Sequence, residues 1–301
     1  MIAVNELPAL SIVGPGRVGT AIGVLAAGAA WPVIAIGGRD RDKTTQAAQR
    51  IGEHVRACSM AEAARCGHIV FITVSDGAIE PVCNNIARQN GFNCNSIVVH
   101  CSGVLSSDIR SSARDSCRCL VGSMHPLQTF ATVDSACAKL KGIYCFCEGD
   151  KEGLPVIENL AKSIGMIPVH ICSSSKVLYH AAAVFACNYL VTLMDAAIET
   201  ANLAKIDRST AWSAFVPLVV STIENISEIG PERALTGPIS RGDIRTIARH
   251  IEKLELVEPY LASMYKAMAR RTVDIALRNA SITEEEGKEI RSILKCCEEQ
   301  E

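Results

Sequence analysis

The sequence has little of what nucleic-acid-binding or disordered chains contain. Its 301 residues include 30 basic and 32 acidic side chains, a formal net charge of −2. No excess positive charge is therefore present to bind a nucleic acid backbone or an anionic membrane. Aromatic residues make up only 4% of the chain, but hydrophobic residues make up 49%. This composition predicts a globular protein with a large core.

Export and membrane signals are also missing. The first residues, MIAVNELPALSIVG, lack a basic segment followed by a signal-type apolar stretch. Two uncharged runs lie at 18–38 and 177–194; the first contains several glycines and Pro32, and the second contains Tyr179, His180 and Asn188. We expect the second run to be a helix buried in protein rather than in lipid. The sequence thus predicts a cytoplasmic protein without a membrane span.

The 14 cysteines include no CxxC pair. Such a number could indicate a disulfide framework, but those frameworks occur in short secreted chains. Two close pairs, Cys117/Cys119 and Cys145/Cys147, would each share one face of a strand, which leaves a metal site as an alternative. We interpret the thiols as reduced, buried small side chains and expect no metal.

Two different patterns divide the chain. Short β-branched apolar runs alternate with helical patterns up to Cys172, and only helix-length segments follow from Ser173. Strands are predicted near 10–13, 33–36, 68–74, 96–100, 119–123, 143–147 and 167–171. The fold class is therefore α/β, with a Rossmann-like, doubly wound, mostly parallel sheet at 1–172 and an all-α domain at 173–301.

The clearest motif is Gly14-Pro15-Gly16-Arg17-Val18-Gly19, which follows an apolar run and precedes a helical pattern. In this setting the three glycines allow a tight turn, close approach of a pyrophosphate, and close packing of helix on strand. The alternative is a glycine-rich turn without a ligand. A GxxxxGK[ST] sequence is absent, so nucleotide hydrolysis is not supported.

The ends of later strands supply further candidate cofactor residues. Arg39, at the end of the second strand, favours NADP because a guanidinium can pair with a 2′-phosphate. Asp40 keeps NAD open as the less favoured cofactor, and Arg39 as plain solvated surface is a further alternative. Ser75, Ser102 and Gly103 lie at strand ends, where they suit the ribose and nicotinamide.

Lys176 is the main candidate acid/base. Three serines precede it and an apolar helix follows, so it lies in the first helical turn, where the helix dipole and burial both lower a lysine pKa. Tyr179 and His180 share its helix face. His125 is a further candidate, although a histidine before a proline can equally hold its loop by hydrogen bonding.

Two residues of the helical half are candidate substrate ligands. Asn188 lies 12 residues beyond Lys176, or about 18 Å along a helix, so the alternative is a polar contact within the bundle or at a subunit interface. Arg241, in a loop with two glycines and a proline, suits a carboxylate clamp. The alternative is a helix-to-helix turn capped by Ser240 or Asp243.

Five segments together resemble a known family of NADP oxidoreductases that join a Rossmann-like domain to a helical domain of unknown function. They are GPGRVGTAI, VHCSG at 99–103, MHPLQTFA at 124–131, LYHAAAVFACNYLVTL at 178–193 and ALTGPISRGD at 234–243. The resemblance implies a dimer related to 6-phosphogluconate and 3-hydroxyacid dehydrogenases and to pyrroline-5-carboxylate reductase. Those dehydrogenases carry Lys with Asn four residues on; Lys176 matches the first position, but His180 occupies the second.

The sequence therefore predicts an NADP-dependent oxidoreductase that passes a hydride between nicotinamide and a small carbonyl, hydroxy-acid or imine substrate. Lys176 would move the proton, and His180 and Arg241 would orient the substrate. A non-catalytic NADP(H)-binding sensor or scaffold is the alternative. A homodimer through the helical domain is expected, because the helix that holds Phe185 and Tyr189 is apolar almost all round.

Overall fold

The computed structural model describes residues 7–295. They form two compact units, the first extending to Ala186 and the second beginning at Cys187. The division therefore lies later than the boundary expected after Cys172. The reason is that the helix beginning at Lys176 is tied to the first unit by hydrogen bonds of Lys176 and Tyr179 in its first turn.

The first unit contains an eight-stranded sheet. Its strands are β1 Leu10–Val13, β2 Val33–Gly37, β3 Arg56–Cys58, β4 Ile69–Ile72, β5 Ile97–His100, β6 Leu120–Pro126, β7 Tyr144–Gly149 and β8 Ile167–His170. They lie in the order β3-β2-β1-β4-β5-β6-β7-β8. All neighbours are parallel except β6 and β7. This confirms the predicted Rossmann-like, mostly parallel sheet, and the order reverses between β1 and β4.

Two strands differ from expectation. The edge strand β3 is three residues long and reads Arg-Ala-Cys, so it carries no apolar run that a sequence pattern could detect. Strand β6 extends to Pro126, beyond the predicted end at Ser123, because its antiparallel pairing with β7 continues to Pro126, which lies opposite Cys145. His125 therefore lies in a strand rather than in a loop.

Seven helices pack on the sheet, and an eighth ends the unit. They are α1 Arg17–Gly28, α2 Arg41–Ile51, α3 Met60–Cys66, α4 Asp76–Arg88, α5 Ser111–Cys117, α6 Val133–Lys139, α7 Leu154–Ser163 and α8 Lys176–Ala186. Alternate residues of the central strands face opposite layers: Ile69 and Phe71 join one core, and Val70 and Ile72 join the other. Both faces of the sheet are thus covered, as parallel sheets require.

The second unit is helical throughout its described part, as predicted. Its helices are α9 Asn188–Leu203, α10 Arg208–Arg233, α11 Ile244–Val257, α12 Pro259–Arg278 and α13 Glu284–Ile293. Its core includes Ile247, Val273 and Ile290. Helix α10 buries only Ala211, and it leaves large apolar side chains such as Trp212 and Leu218 exposed.

By length and composition, one described stretch is long and apolar enough to cross a membrane, Ser173–Leu203. It is divided at Cys187 into α8 and α9. We expected this run to be buried in protein, but most of its side chains are exposed in the single chain, including Leu178 and Phe185. Packing of this stretch against protein rather than lipid stays a prediction.

Candidate active site

The glycine motif forms a turn between β1 and α1 at the point where the strand order reverses. Gly14 has φ +111°, and a Cβ there would lie 2.9 Å from the backbone of Thr73. A Cβ on Gly19 would lie 2.2 Å from Thr73 Oγ1, so helix α1 can approach β4 only with glycine at that position. Two of the three predicted glycine roles, the tight turn and the close packing, are thus visible in the structure.

Gly16 differs from the other two glycines because it has space around it. It is exposed, and the nearest atom to a Cβ at this position would be Thr73 O at 3.7 Å. The first turn of α1 contains no acidic residue, and its N-terminus has no side-chain cap. Backbone N–H groups at such an end attract anions, so the turn fits a pyrophosphate. Pro15 and Val18 are half-buried beside it.

Arg17 is exposed, and its guanidinium donates to the carbonyl oxygens of Phe130 at 2.9 Å and Ala131 at 3.1 Å. These two residues end the MHPLQTFA segment. Arg17 thus ties the glycine turn to the chain that leaves β6, and only its other guanidinium nitrogens are available for a phosphate.

Two candidate cofactor ligands follow β2: Arg39 for a 2′-phosphate and Asp40 for a ribose hydroxyl. Asp40 caps α2 by accepting from Lys43 N at 3.1 Å, and this hydrogen bond lowers the pKa of its carboxyl. Arg39 is exposed, and within residues 7–295 no side chain or carbonyl holds its guanidinium. Gly38 packs against the glycine turn, since a Cβ on Gly38 would lie 2.8 Å from the Pro15 ring. The next residue, Arg39, therefore lies beside that turn. The cap role of Asp40 favours Arg39 as the ligand.

The turns after β4 and β5 are joined by Ser102. Its hydroxyl donates to Asp76 Oδ2 at 2.8 Å and accepts from the backbone N–H groups of Val104 and Leu105. His100 accepts from Ser102 N at 3.0 Å, so its other nitrogen donates to Ser106 O at 3.2 Å. The Ser102 side chain therefore holds its own turn, whereas Ser75 is exposed and makes no cap hydrogen bond.

Two histidine rings meet at Gly103, which is buried. A Cβ on Gly103 would lie 2.7 Å from His180 Cδ2 and 2.9 Å from His125 Nε2, so only glycine allows these rings to approach. His125 Nδ1 lies 2.7 Å from Tyr179 Oη. The Tyr179 ring packs on Phe146, with ring centroids 4.2 Å apart. His125, His180 and Gly103 therefore form one cluster beyond the carboxyl end of β5.

Lys176 opens α8, as predicted, but it is 1% exposed. Its ammonium donates to Ser102 O at 3.1 Å, Ser123 Oγ at 2.6 Å and Glu148 Oε1 at 3.4 Å. Glu148 is 3% exposed and also accepts from Ser107 N, Ser107 Oγ and Ser123 Oγ. All three N–H groups of Lys176 are thus used inside the protein. Lys176 is thus enclosed by protein groups, and the acid/base role expected for it stays a prediction.

The charges of this pair are balanced by their surroundings. Burial lowers the pKa of Lys176, which is the predicted direction, and Glu148 partly opposes this effect. Burial alone would raise the pKa of Glu148, but hydrogen bonds from Ser123 and Ser107 and the charge of Lys176 outweigh it, so that pKa is lowered. Lys176 and Glu148 therefore form an ion pair whose polar atoms are satisfied, as a buried pair requires.

The two candidate substrate residues of the helical half lie in the second unit. Asn188 is exposed at the start of α9. Arg241 is exposed in a short turn before α11, and Asp243 caps that helix by accepting from Thr246 N at 3.1 Å. The capping role considered for Asp243 is thus confirmed, and substrate contacts of Asn188 and Arg241 stay predictions.

The sequence does not identify Glu148 or Ser123 as site residues, and it places Tyr179 only on the helix face of Lys176. A single acidic residue in the apolar strand YCFCEG was the available signal for Glu148. Its partner Lys176 lies 28 residues away, so the sequence pattern cannot show that the two meet.

The two close cysteine pairs lie in different settings. Cys145 and Cys147 share a face of β7, with sulfur atoms 3.9 Å apart, and both are buried and free. Cys117 ends α5, so Cys117 and Cys119 do not alternate along one strand as expected. In the described part of the chain, no group of three or more His, Cys, Asp or Glu side chains is placed to hold a metal ion.

Each half of the chain matches a known family model. Residues 5–126 match the model of a Rossmann-like domain, and residues 143–272 match DUF2520, a domain of unknown function. No curated protein matches the chain. Protein TM1727 from Thermotoga maritima is 26% identical, with TM-score 0.71, over 90% of this chain and 99% of that chain.

Two further solved structures share the fold. The candidate NADP oxidoreductase BF3122 from Bacteroides fragilis is 19% identical, with TM-score 0.70, over 89% of this chain and 98% of that chain. Pyrroline carboxylate reductase from Plasmodium falciparum, solved with NADP bound, is 13% identical, with TM-score 0.56, over 96% of this chain and 99% of that chain. At these identities the likeness shows the fold alone.

Proposed function

Since the chain joins a Rossmann-like domain to a DUF2520 domain, we propose that it is an NADP-dependent oxidoreductase. The observation that carries the proposal is the open, uncapped glycine turn at the point where the strand order reverses. Ligands of open α/β sheets bind at this position. The substrate would be a small carbonyl, hydroxy-acid or imine compound.

The residues around the turn have separate roles in this proposal. The segment Gly14–Gly19 holds the pyrophosphate at the α1 N-terminus, and Arg39 pairs with the 2′-phosphate. Ser75 and the turn Ser102–Gly103 border the ribose and nicotinamide. When bound, the cofactor supplies or accepts the hydride. NAD is the less favoured cofactor because Asp40 is engaged as a helix cap.

The proton-transfer role fits His125 and His180 better than Lys176. Both rings border Gly103, and both are only partly buried. Lys176 is enclosed and instead joins the turn after β5 to β6 and β7 through its hydrogen bonds. Because Lys176, the acid expected from the sequence, is enclosed, a second candidate function is an NADP(H)-binding sensor or scaffold that carries out no reaction.

We further propose a cytoplasmic homodimer that forms through the helical unit. Val191 is 68% exposed and Leu218 is 64% exposed. Apolar side chains this exposed, repeated along α9 and α10, are typical of a surface that a partner covers. Asn188 and Arg241 remain the proposed substrate ligands from the second unit.

The cofactor part can be tested with two matched glycine variants. Gly16→Ala adds a methyl group where the protein leaves room but the pyrophosphate would lie, and Gly28→Ala adds one where nothing lies within 4 Å. We expect Gly16→Ala to weaken NADPH binding about tenfold or more, and Gly28→Ala to leave it unchanged. Calorimetric titration with NADPH measures both. Equal affinities would refute the assignment of the turn.

The reaction itself needs a substrate. A metabolite screen that follows NADPH absorbance with purified protein would identify one. NADPH binding without turnover on any carbonyl, hydroxy-acid or imine compound would instead support the sensor alternative.

A further inference from the structure

The His125–Tyr179 pair has the geometry of a proton relay. The 2.7 Å separation of His125 Nδ1 and Tyr179 Oη is a short, well-formed hydrogen bond. The other ring nitrogen, Nε2, packs against Gly103: it lies 2.9 Å from where a Cβ on that residue would stand, and His180 Cδ2 borders the same point. One end of the pair thus faces the turn proposed to border nicotinamide, and the other end is a half-buried phenol.

The groups around His125 keep it neutral. Burial, with the charges of Lys176 and His180 on α8, lowers the pKa of His125 to about 4. Glu148 on β7 is paired with Lys176, and burial raises the pKa of Cys101, in the turn after β5, to about 12. At pH 7 His125 is therefore neutral.

The proton positions follow from this neutrality. Burial raises the pKa of Tyr179, so its hydroxyl stays protonated. We assign the Tyr179 hydroxyl as the donor to Nδ1, which places the His125 proton on Nε2. Nε2–H is then a hydrogen-bond donor directed at whatever lies beside Gly103.

We propose that His125 binds the reacting oxygen of a ketone or alcohol substrate through Nε2, and that Tyr179 relays its proton through Nδ1. The proposal rests on the oxidoreductase function above and names the substrate class. In reduction, a hydride forms the new C–H bond and the carbonyl π electrons move to oxygen. The oxygen takes the Nε2 proton, Nδ1 takes the Tyr179 proton, and the phenol oxygen takes one from a hydronium ion in solvent.

The relay leaves His125 neutral before and after the step, with its proton moved from Nε2 to Nδ1. An imine requires protonation to an iminium for efficient hydride acceptance, and burial of His125 disfavours a cation at this position. The buried Lys176 cation also disfavours a second positive charge nearby. The pair therefore selects oxygen rather than nitrogen at the reacting carbon.

The test uses nitrogen-15 NMR of histidine in the full-length protein, which needs no substrate. We expect His125 to stay neutral from pH 8 to about pH 5, with its proton on Nε2. Tyr179→Phe should shift the Nδ1 resonance toward that of a nitrogen without a donor, and Tyr144→Phe, an exposed tyrosine of β7, should not. Titration of His125 near pH 6.5, or a proton on Nδ1 at pH 7 in the wild type, would overturn the assignment.

Binding and turnover measurements distinguish a failure of this proposal from a failure of the oxidoreductase function. NADPH titration of wild-type protein tests the function alone, because neither His125 nor Tyr179 is assigned to cofactor binding. With a ketone substrate, His125→Asn should lower kcat about 100- to 10,000-fold at unchanged NADPH affinity. Turnover of imines but not of ketones or alcohols would refute the substrate class while leaving the function intact.

Discussion

The buried pair of Lys176 and Glu148 offers a measurable test of the structure. Removing one partner of a buried ion pair costs about 3–5 kcal/mol, because the remaining charge stays desolvated. In Lys176→Met, Glu148 would keep its hydrogen bonds from Ser107 and Ser123. We therefore expect the lower end of that range, about 3 kcal/mol. A lysine facing an open cleft would instead tolerate methionine with little change in stability.

The measurement is the free energy of unfolding from denaturant titration, with calorimetry for Tm. A loss of about 3 kcal/mol corresponds to a decrease in Tm of about 6–12 °C for a unit of this size. Lys162→Met, an exposed lysine on α7, is the matched control and should change stability by less than about 0.5 kcal/mol. Adding Glu148→Gln to Lys176→Met removes the unpaired charge and should restore at least half of the loss.

Acid titration provides a second measurement on the same pair. The pKa of Glu148 is lowered below its ordinary value of 4.5, so its stabilisation is present above that pH. It is lost as pH falls through the lower folded-state pKa. The double variant should lack this acid-sensitive part. Unfolding free energies of wild type and Lys176→Met within about 0.5 kcal/mol of each other would refute the buried pair.

Three further predictions concern cofactor, assembly and pH. Arg39→Ala should reduce the preference for NADPH over NADH about tenfold or more in calorimetric titration, and Arg41→Ala, two residues on, should not. Light scattering at micromolar concentration should give a dimer mass, and Leu218→Glu should give a monomer. Because the pKa of His125 is lowered from 6.5 to about 4, its contribution to stability should be lost as pH falls through that window. Chemical denaturation of His125→Asn should show a smaller pH dependence between those values.

Two features of the site, the glycine turn and the position of Lys176 at a helix start, could be predicted from short stretches of sequence. The glycine motif lies between an apolar run and a helical pattern, so strand, turn and helix follow one another within about twenty residues. The three serines before Lys176 likewise placed it in the first helical turn. Such features depend only on neighbouring residues, so they can be predicted without knowing the rest of the fold.

Long-range packing decided what those residues contact. Lys176 contacts a carboxylate because the register of β7 against β6 places Glu148 beside Ser123. His125 meets Tyr179, 54 residues later, because β6 continues past Ser123 and α8 docks on β7 through Phe146. The sequence by itself determined the fold class and the glycine turn, which are local patterns. The tertiary structure alone decided the partners of Lys176 and His125, since strand register and helix docking are set by the whole core.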